Sequence, residues 1–587
     1  MTLVAGQADT LHISDLFYAE SYALAFLPHA TIQARYDRQL GLLILTAAPH
    51  AEGLTLLSFR HEGEVYQIPV FLQILQRHRF QYHLRKAAQK VNVMGSFNGW
   101  NRNNLPMHDE NGDNIYEMIL PLEPGRYEYK FVIDTEEILD PENPEIVSNN
   151  IGGYNSVLTI PPRHPEKSVL HLLGSKTTGP DLELIFVYER ENQPAALRHE
   201  HIIALINNQK IAEKKILIVG NQIGVRLDQD LLKGSTTVRV AVTQNGHSTL
   251  MQSVRLYDGR PAGSTPAWFS WHDAVIYAMM IDRFDDGDPT NTRPVVHAEL
   301  HPKVNYFGGD LQGIIRQIDA GYFDSLGVNA LWLSPVNENT DRAHREWPPP
   351  HRYFSAYHGY WPTHHEKVEE RFGDLNLLKT LVAKAHAHGL KVLLDFIAHH
   401  VHEDHPFYKA HRDWFGVLDL PDGRKNIRFW DEHRLTTWFE PFLPSFDYLG
   451  SQAALDTMTD NAIWWLEQTN ADGFRHDAVK HIPNQFWRIL TQKIKRQIEI
   501  PQNRKIYQIG ETFGGYDLVS SYVNNGQLDA QFNFNLYFTA RGVFLTPGAS
   551  FAILANEMQK TFSVYGVDHL MSNIMDSHDQ VRYMAYA

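Results

Sequence analysis

Two side chains set two residues apart open the chemistry: Arg475 and Asp477, in the run G-F-R-H-D-A-V-K-H from Gly473 to His481. If the run is a strand, its period of two puts both side chains on one face. A guanidinium beside a carboxylate favours the ionised acid, and an ionised, oriented Asp can act as a nucleophile. The same pair is also what an ordinary ion pair at a strand end looks like, so the nonapeptide alone leaves both readings open. Three further runs change the balance. D-F-I-A-H-H brings Asp395 and His400, Q-I-G-E-T brings Glu511, and M-D-S-H-D-Q brings His578 and Asp579. Together they offer two carboxylates whose labour can be divided, a third acid and two histidines.

These residues need a scaffold that brings separate strand ends together. Strands are expected at Val275–Ile281, Ala330–Ser334, Lys391–Phe396, Gly473–Asp477, Ile506–Glu511, Ala530–Phe534 and Leu570–Met575, with helical patterns between them at Leu311–Leu326, Leu375–His388, Gln452–Gln468 and Phe551–Lys560. Strands alternating with helices imply a parallel sheet. Polar residues at the C-terminal end of nearly every strand point to a (β/α)8 TIM barrel, whose chemistry sits on that rim. A doubly wound sheet is the alternative, and it would gather its chemistry at one switch point.

The whole chain has 587 residues, too many for one core, with 43% hydrophobic content to bury. Its 53 basic and 68 acidic residues give a net charge of -15, which argues against a nucleic-acid partner and for a soluble protein. No apolar run approaches the roughly 20 residues that span a bilayer, so no membrane partner is expected. The absence of cysteine excludes disulfides and thiolate metal sites. With no secretory pattern at the N-terminus, a cytoplasmic location is expected, secretion being the alternative.

Of the 12 tryptophans only Trp100 precedes position 268. The first 265 residues read as short alternating segments with Asn-Gly, Asp-Gly and Pro-Gly turns, the pattern of β-sandwiches. Three N-terminal β domains are expected at 1–80, 81–162 and 163–265, followed by a linker over Asp258–Pro266 and the barrel at 268–587. In the second, V-N-V-M-G-S-F-N-G-W-N, L-P-L-E-P-G-R-Y-E-Y-K-F and D-P-E-N-P follow one another. This order resembles the glycogen- and starch-binding module of carbohydrate-binding family forty-eight. The resemblance makes Trp100, Lys130 and Asn155 its sugar-binding positions, with Trp stacking on sugar C–H groups and the polar pair bonding hydroxyls. The Asp134–Leu139 segment departs from it, lacking a second Trp; a docking role is the alternative.

The barrel motifs, with A-V-I-Y-A-M-M-I-D-R-F from Ala274, F-G-G-D-L-Q-G-I from Phe307 and Y-H-G-Y-W from Tyr357, resemble the α-amylase superfamily, glycoside hydrolase family thirteen, in order and spacing. The resemblance implies that Asp477 is the nucleophile, Glu511 the general acid/base and Asp579 the third carboxylate that grips sugar hydroxyls. Arg475, His400, His578 and Asp395 become partners of the −1 sugar and Tyr360 its stacking platform, while Lys480 and His481 fall at plus-subsite positions. Retaining glycosidases hold one ionised and one protonated carboxyl about 5–5.5 Å apart, a separation that neighbouring strands allow. In this reading Arg475 keeps Asp477 charged, while Glu511, with no cation two residues away, carries the proton.

Two departures bear on metals and subsites. His399 stands where the family has an Asn that helps to bind calcium, and Ser577 stands where it has another Asn. A separate F-D-D-G-D-P-T-N run from Phe284 resembles the calcium loop of the cyclomaltodextrinase and neopullulanase branch. Asp286, Asp288, Asn291, the Gly308 carbonyl and Asp310 are its expected ligands, and a metal-free Asp-Gly turn is the alternative. His399, His400, His402 and His405 invite a zinc reading, but H-E-D-H is not H-E-x-x-H and no third ligand is at hand in the sequence. The stretch 401–448 is expected to form an inserted domain B rich in aromatics, from Trp414, Phe415, Phe429 and Trp430 to Trp438 and Phe439.

The expectation is a retaining hydrolase of α-1,4 bonds in starch, glycogen, maltodextrin or cyclodextrin. A transglycosylase and a silent glucan-binding scaffold are the alternatives. The sequence ends eight residues past Asp579, so the barrel is expected to be incomplete at its C-terminal side, short of the family's eighth strand.

Overall fold

The computed structural model describes residues 1–148, 153–163, 166–179, 181–191, 196–244, 246–261, 269–565 and 569–585. Trp268 and the linker from position 262 onward lie outside the described residues. The chain divides into two compact units, Met1–Ile13 with Ser21–Pro266, and Ser14–Glu20 with Ala267–Ala587. The first is built of sheets. Glu64–Gln73 lies between Gly53–His61 and Thr2–Val4, and Leu42–Ala47 between Ala8–His12 and Ile32–Asp37. Gly125–Ile133 pairs with Val91–Gly95 and Tyr154–Ile160. Further along, Asp181–Arg190 and Ser235–Gln244 are the central strands of two sheets whose inner residues, Leu184, Phe186, Val225, Val238 and Val240 among them, share one core.

The second unit is organised by one parallel sheet of seven strands that pair in sequence order: β1 Ile276–Met279, β2 Ala330–Leu333, β3 Lys391–Phe396, β4 Gly473–His476, β5 Tyr507–Gly510, β6 Ala530–Phe532 and β7 Leu570–Ser572. A sheet wound in one direction without reversal curls, and its inner face is filled by Trp332, Leu393, Tyr507, Ile509, Ala530 and Phe532. Helices lie between the strands, each started by a side-chain cap where the sequence supplies one. Asp310 accepts from the Gly313 amide at the head of α1, Leu311–Asp319. Asp374 does the same for α2, Leu375–Ala387, and Ser451 for α3, Gln452–Thr469. The helical pattern expected over Leu311–Leu326 is divided in two, because Gly321 takes a left-handed backbone (φ +70°). Among the described residues no helix is long and apolar enough to cross a membrane.

The approach of β4 to its neighbours depends on one glycine. A Cβ on Gly473 would lie 1.8 Å from the Tyr507 carbonyl oxygen on β5, so no other residue fits there without moving a strand. Just upstream, Asn470 in the left-handed region ends α3 and turns the chain into β4. Alternation along β4 then separates two faces. His476 points toward the helical layer, against Trp487 of the helix Asn484–Ile494, and bonds to Gln508. Arg475 points to the other face. Register does the rest: Asp395 pairs across from Arg475, and His476 across from Gly510, which sets Asp477 beside Glu511 at the next step.

Candidate active site

At the C-terminal ends of β3 to β5 one guanidinium collects three carboxylates. Arg475 Nη1 donates to both Asp395 oxygens, at 2.9 and 3.0 Å, and to Asp477 Oδ1 at 3.0 Å, while Nη2 donates to Glu511. Arg475 is 1% exposed and Asp395 2%. A buried charge of this kind persists only when it is paired and hydrogen-bonded, and here each partner supplies both conditions. Asp395 also accepts from Trp332 Nε1 at 2.9 Å and from Tyr360 Oη at 2.8 Å. With its oxygens enclosed by donors it cannot reach a ligand. In this geometry Asp395 holds the Arg475 guanidinium in place.

One correction concerns charge. Arg475 alone was expected to keep Asp477 ionised and to leave Glu511 without a cation. The guanidinium instead touches Glu511 directly, and the Asp477 carboxyl is pushed well above the usual carboxylate range. Burial is the main cause; Glu511, Asp395 and Asp579 add to it, and Arg475 opposes it. Four acids around one cation cannot all ionise cheaply. That is the electrostatic condition under which one carboxyl attacks and another donates.

Around this centre, Tyr360 stacks on His578 (5.5 Å, 20°) and on His358. His578 contacts Asp579, whose side chain is 49% exposed and opens toward solvent. Ser577 Oγ accepts the Asp579 amide at 3.1 Å, so the smaller residue caps the turn that presents this acid. His400 Nε2 bonds to the Tyr360 carbonyl at 2.9 Å and its Nδ1 lies 3.1 Å from His399 Nδ1, leaving the ring neutral, its pKa lowered by burial to about 4. In this arrangement both of its nitrogens are engaged by the protein. Directly after Asp477, Ala478 adopts a left-handed backbone (φ +51°), and its amide points to Glu511 at 3.5 Å.

The aromatics of 401–448 divide by burial. Trp414, Phe415 and Trp438 are core, whereas Phe439 stacks on His399 at 4.2 Å and reaches His400, Trp430 and His481 at 5.0–5.4 Å. His481 bonds to the Arg434 carbonyl at 2.8 Å, and Lys480 pairs with Asp431 at 2.8 Å. Trp332, His358 and Arg434 escaped the sequence reading: a Trp within a buried strand carries no pattern that distinguishes a hydrogen-bond donor from core.

In the sheet-rich unit, Trp100 sits exposed in a left-handed turn and Lys130 pairs with Glu137 at 3.1 Å. Asn155 is 5% exposed and donates to Glu128 at 2.8 Å.

At the expected calcium loop, a Cβ on Gly308 would lie 2.8 Å from Asp286 Oδ2, so the glycine leaves room for a backbone-lined cradle. Asn291 Oδ1 is buried with no donor against it among the described residues. Asp310 differs from expectation. Its two oxygens already accept from the Gly287, Gly313 and Asp288 amides and from Asn291 Nδ2. It folds the loop and caps α1, leaving Asp286, Asp288, Asn291 and the Gly308 carbonyl as the oxygens that fit a hard cation.

Two stretches of the chain match known families. Residues 276–587 match the family model described as alpha amylase, catalytic domain, and residues 78–166 match that described as the glycogen recognition site of AMP-activated protein kinase. The chain is 28% identical over 341 residues to a cyclomaltodextrinase of Bacillus sp, covering 55% of each. It is 25% identical over 375 residues to the cyclomaltodextrin glucanotransferase of Klebsiella oxytoca, covering 59% of this chain and 54% of that one. The chain thus spans about half the length of the curated relatives it matches. Among solved structures, an Anoxybacillus α-amylase aligns at 30% identity and a TM-score of 0.46, over 54% of this chain and 65% of that one.

The donor set around Asp395 makes a test that needs no substrate. Trp332→Phe keeps an aromatic ring but removes the Nε1–H from a buried carboxylate, which should cost about 1–3 kcal/mol. A thermal midpoint equal to that of the parent protein would show that this bond does not hold the cluster.

Proposed function

The chain belongs to the α-amylase catalytic-domain family, and from that premise we propose that it is a retaining hydrolase of α-1,4-glucosidic bonds in starch, glycogen, maltodextrin or cyclodextrin. The observation that carries this reading is the single guanidinium shared by Asp477 and Glu511 at the ends of adjacent parallel strands. That arrangement is compatible with the separation of about 5–5.5 Å used by retaining enzymes. In the reading, the seven strands are those of a (β/α)8 barrel, preceded by three β domains.

Glu511 gives its proton to the glycosidic oxygen as that bond breaks, and Asp477 forms a bond to the anomeric carbon from the opposite face. Glu511 then takes a proton from water, whose oxygen displaces Asp477 and regenerates the site. Asp579, the most open acid, accepts hydrogen bonds from sugar hydroxyls, and Tyr360 offers its ring to the sugar held there. Arg475 acts on the carboxylates and never on the glucan. Phe439 and Trp430, with His481 and Lys480, line the leaving-group side. Trp100 and Lys130 offer a second contact to the same polymer.

Calcium, where bound, would be held by Asp286, Asp288, Asn291 and the Gly308 carbonyl and would supply rigidity to the loop ahead of α1. The reading then predicts a lower thermal midpoint in excess chelator, restored by added calcium; equal midpoints would remove the site.

Release of reducing ends from soluble starch tests the function directly. Asp477→Asn should abolish it while glucan binding survives, and appreciable hydrolysis by this variant would refute the assignment.

The pH dependence follows from the direction of the Asp477 shift. The nucleophile must be ionised, and its carboxyl is raised, so kcat/KM falls as pH drops through that raised value. The acidic limb should therefore lie above the ordinary Asp pKa of about 3.9. A limb at or below that value would show that Arg475 outweighs burial.

A further inference from the structure

Apart from the catalytic cluster, two imidazoles meet edge to edge near the start of domain B. His402 Nε2 and His344 Nε2 are 2.9 Å apart, and with a Glu403 carboxylate oxygen they form a group whose ligand atoms all lie within 4.8 Å of one another. Among the described residues it is the one such group of three. We propose that His344, His402 and Glu403 form a binding site for a divalent transition ion of the zinc class, pinning two loops at the base of domain B.

The third ligand that the H-E-D-H run lacked comes from elsewhere in the chain. His344 lies in the short strand His344–Arg345, paired with Tyr353–Phe354, in the connection after β2. Its ring stacks on Phe442 at 4.1 Å and meets the edge of Trp361, which fixes its orientation. His402 is 0% exposed. Its amide donates to the Pro362 carbonyl, and the Glu403 amide to that of Phe442, each at 2.9 Å. Ligands held on rigid backbone lose little freedom on binding, which is the condition for a preformed site.

The chemistry of the donors fits. A metal binds imidazole through an unprotonated nitrogen, and the two Nε2 atoms already face each other at 2.9 Å. Two nitrogens, one carboxylate and a water make a tetrahedral set of the zinc type, in which ligand nitrogens sit about 3.3 Å apart at a metal–nitrogen distance of about 2.05 Å. The two rings must therefore open by only a few tenths of an ångström. At present His402 Nδ1 accepts the Asp404 amide at 3.1 Å, which puts the ring proton on Nε2. Binding through Nε2 requires the proton on Nδ1 instead, which breaks the bond from the Asp404 amide and leaves Asp404 Oδ2, at 3.6 Å, as the acceptor for Nδ1–H. No net proton is released.

Arg342 is the built-in competitor. Its guanidinium takes Glu403 at 3.3 Å and also Asp404, and its side chain is half exposed, so it can swing into solvent when an ion arrives. The loops that the ion would join include the one carrying Tyr360, whose carbonyl holds His400, so occupancy would stiffen the rim beside the catalytic cluster.

The test uses the whole chain, stripped with chelator and returned to calcium-containing buffer, with zinc chloride as probe. Uptake is read by metal analysis and titration calorimetry, and stability by thermal midpoint. The parent protein should take one ion per chain with a rise in midpoint, and His344→Ala should lose both. Asp404→Asn should weaken binding about 10- to 100-fold. Arg342→Ala should bind several-fold tighter, a gain that misfolding cannot mimic. Equal uptake by the parent and His344→Ala overturns the proposal, as does failure of both the parent and Arg342→Ala to bind zinc.

Discussion

A buried guanidinium is the interaction on which the carboxylate-lined end of the parallel sheet depends. Arg475 lies out of water and is compensated by carboxylates from its own strand and both neighbours, so none of the groups can be judged alone. Removing any one acid changes the charge that the others share with the guanidinium, and removing the cation leaves like charges facing each other in a medium that screens them poorly. The cluster can form because β4 lies close to β5, and that closeness rests on a glycine with no side chain. Chemistry and packing meet at the same backbone.

Much of this was legible in the sequence, for reasons that can be named. All seven strands of the parallel sheet fall within the expected runs, since strands buried on both faces are continuous apolar stretches bounded by polar ends. The period of two placed Arg475 and Asp477 on one face, and the chain order of the motifs matched the strand order. What escaped was the partnership across strands. Sequence spacing shows neighbours along a strand and is silent about the strand beside it, so Glu511 read as an acid without a cation. Trp332 escaped for the same reason. Burial and crowding, which raise Asp477 against its arginine, are properties of the assembled sheet and have no sequence signature.

The histidines show the same limit. Along the chain, His399, His400, His402 and His405 form one cluster, yet folding sorts them by direction. His400 turns to the Tyr360 carbonyl, His399 to Phe439, and His402 to His344, a residue 58 positions away. Adjacency in sequence suggested one site, and alternating directions along the loop made several.

The left-handed backbone at Ala478 has a consequence of its own. An alanine in that region is held against its preference, at an expense of roughly 1–3 kcal/mol, in the one residue that follows Asp477. The rest of the sheet must be stable enough to carry that debt. Robustness of the scaffold and sharpness of the catalytic turn are therefore coupled. A chain of this kind can drift freely in its helices only while enough reserve remains to keep that single turn bent.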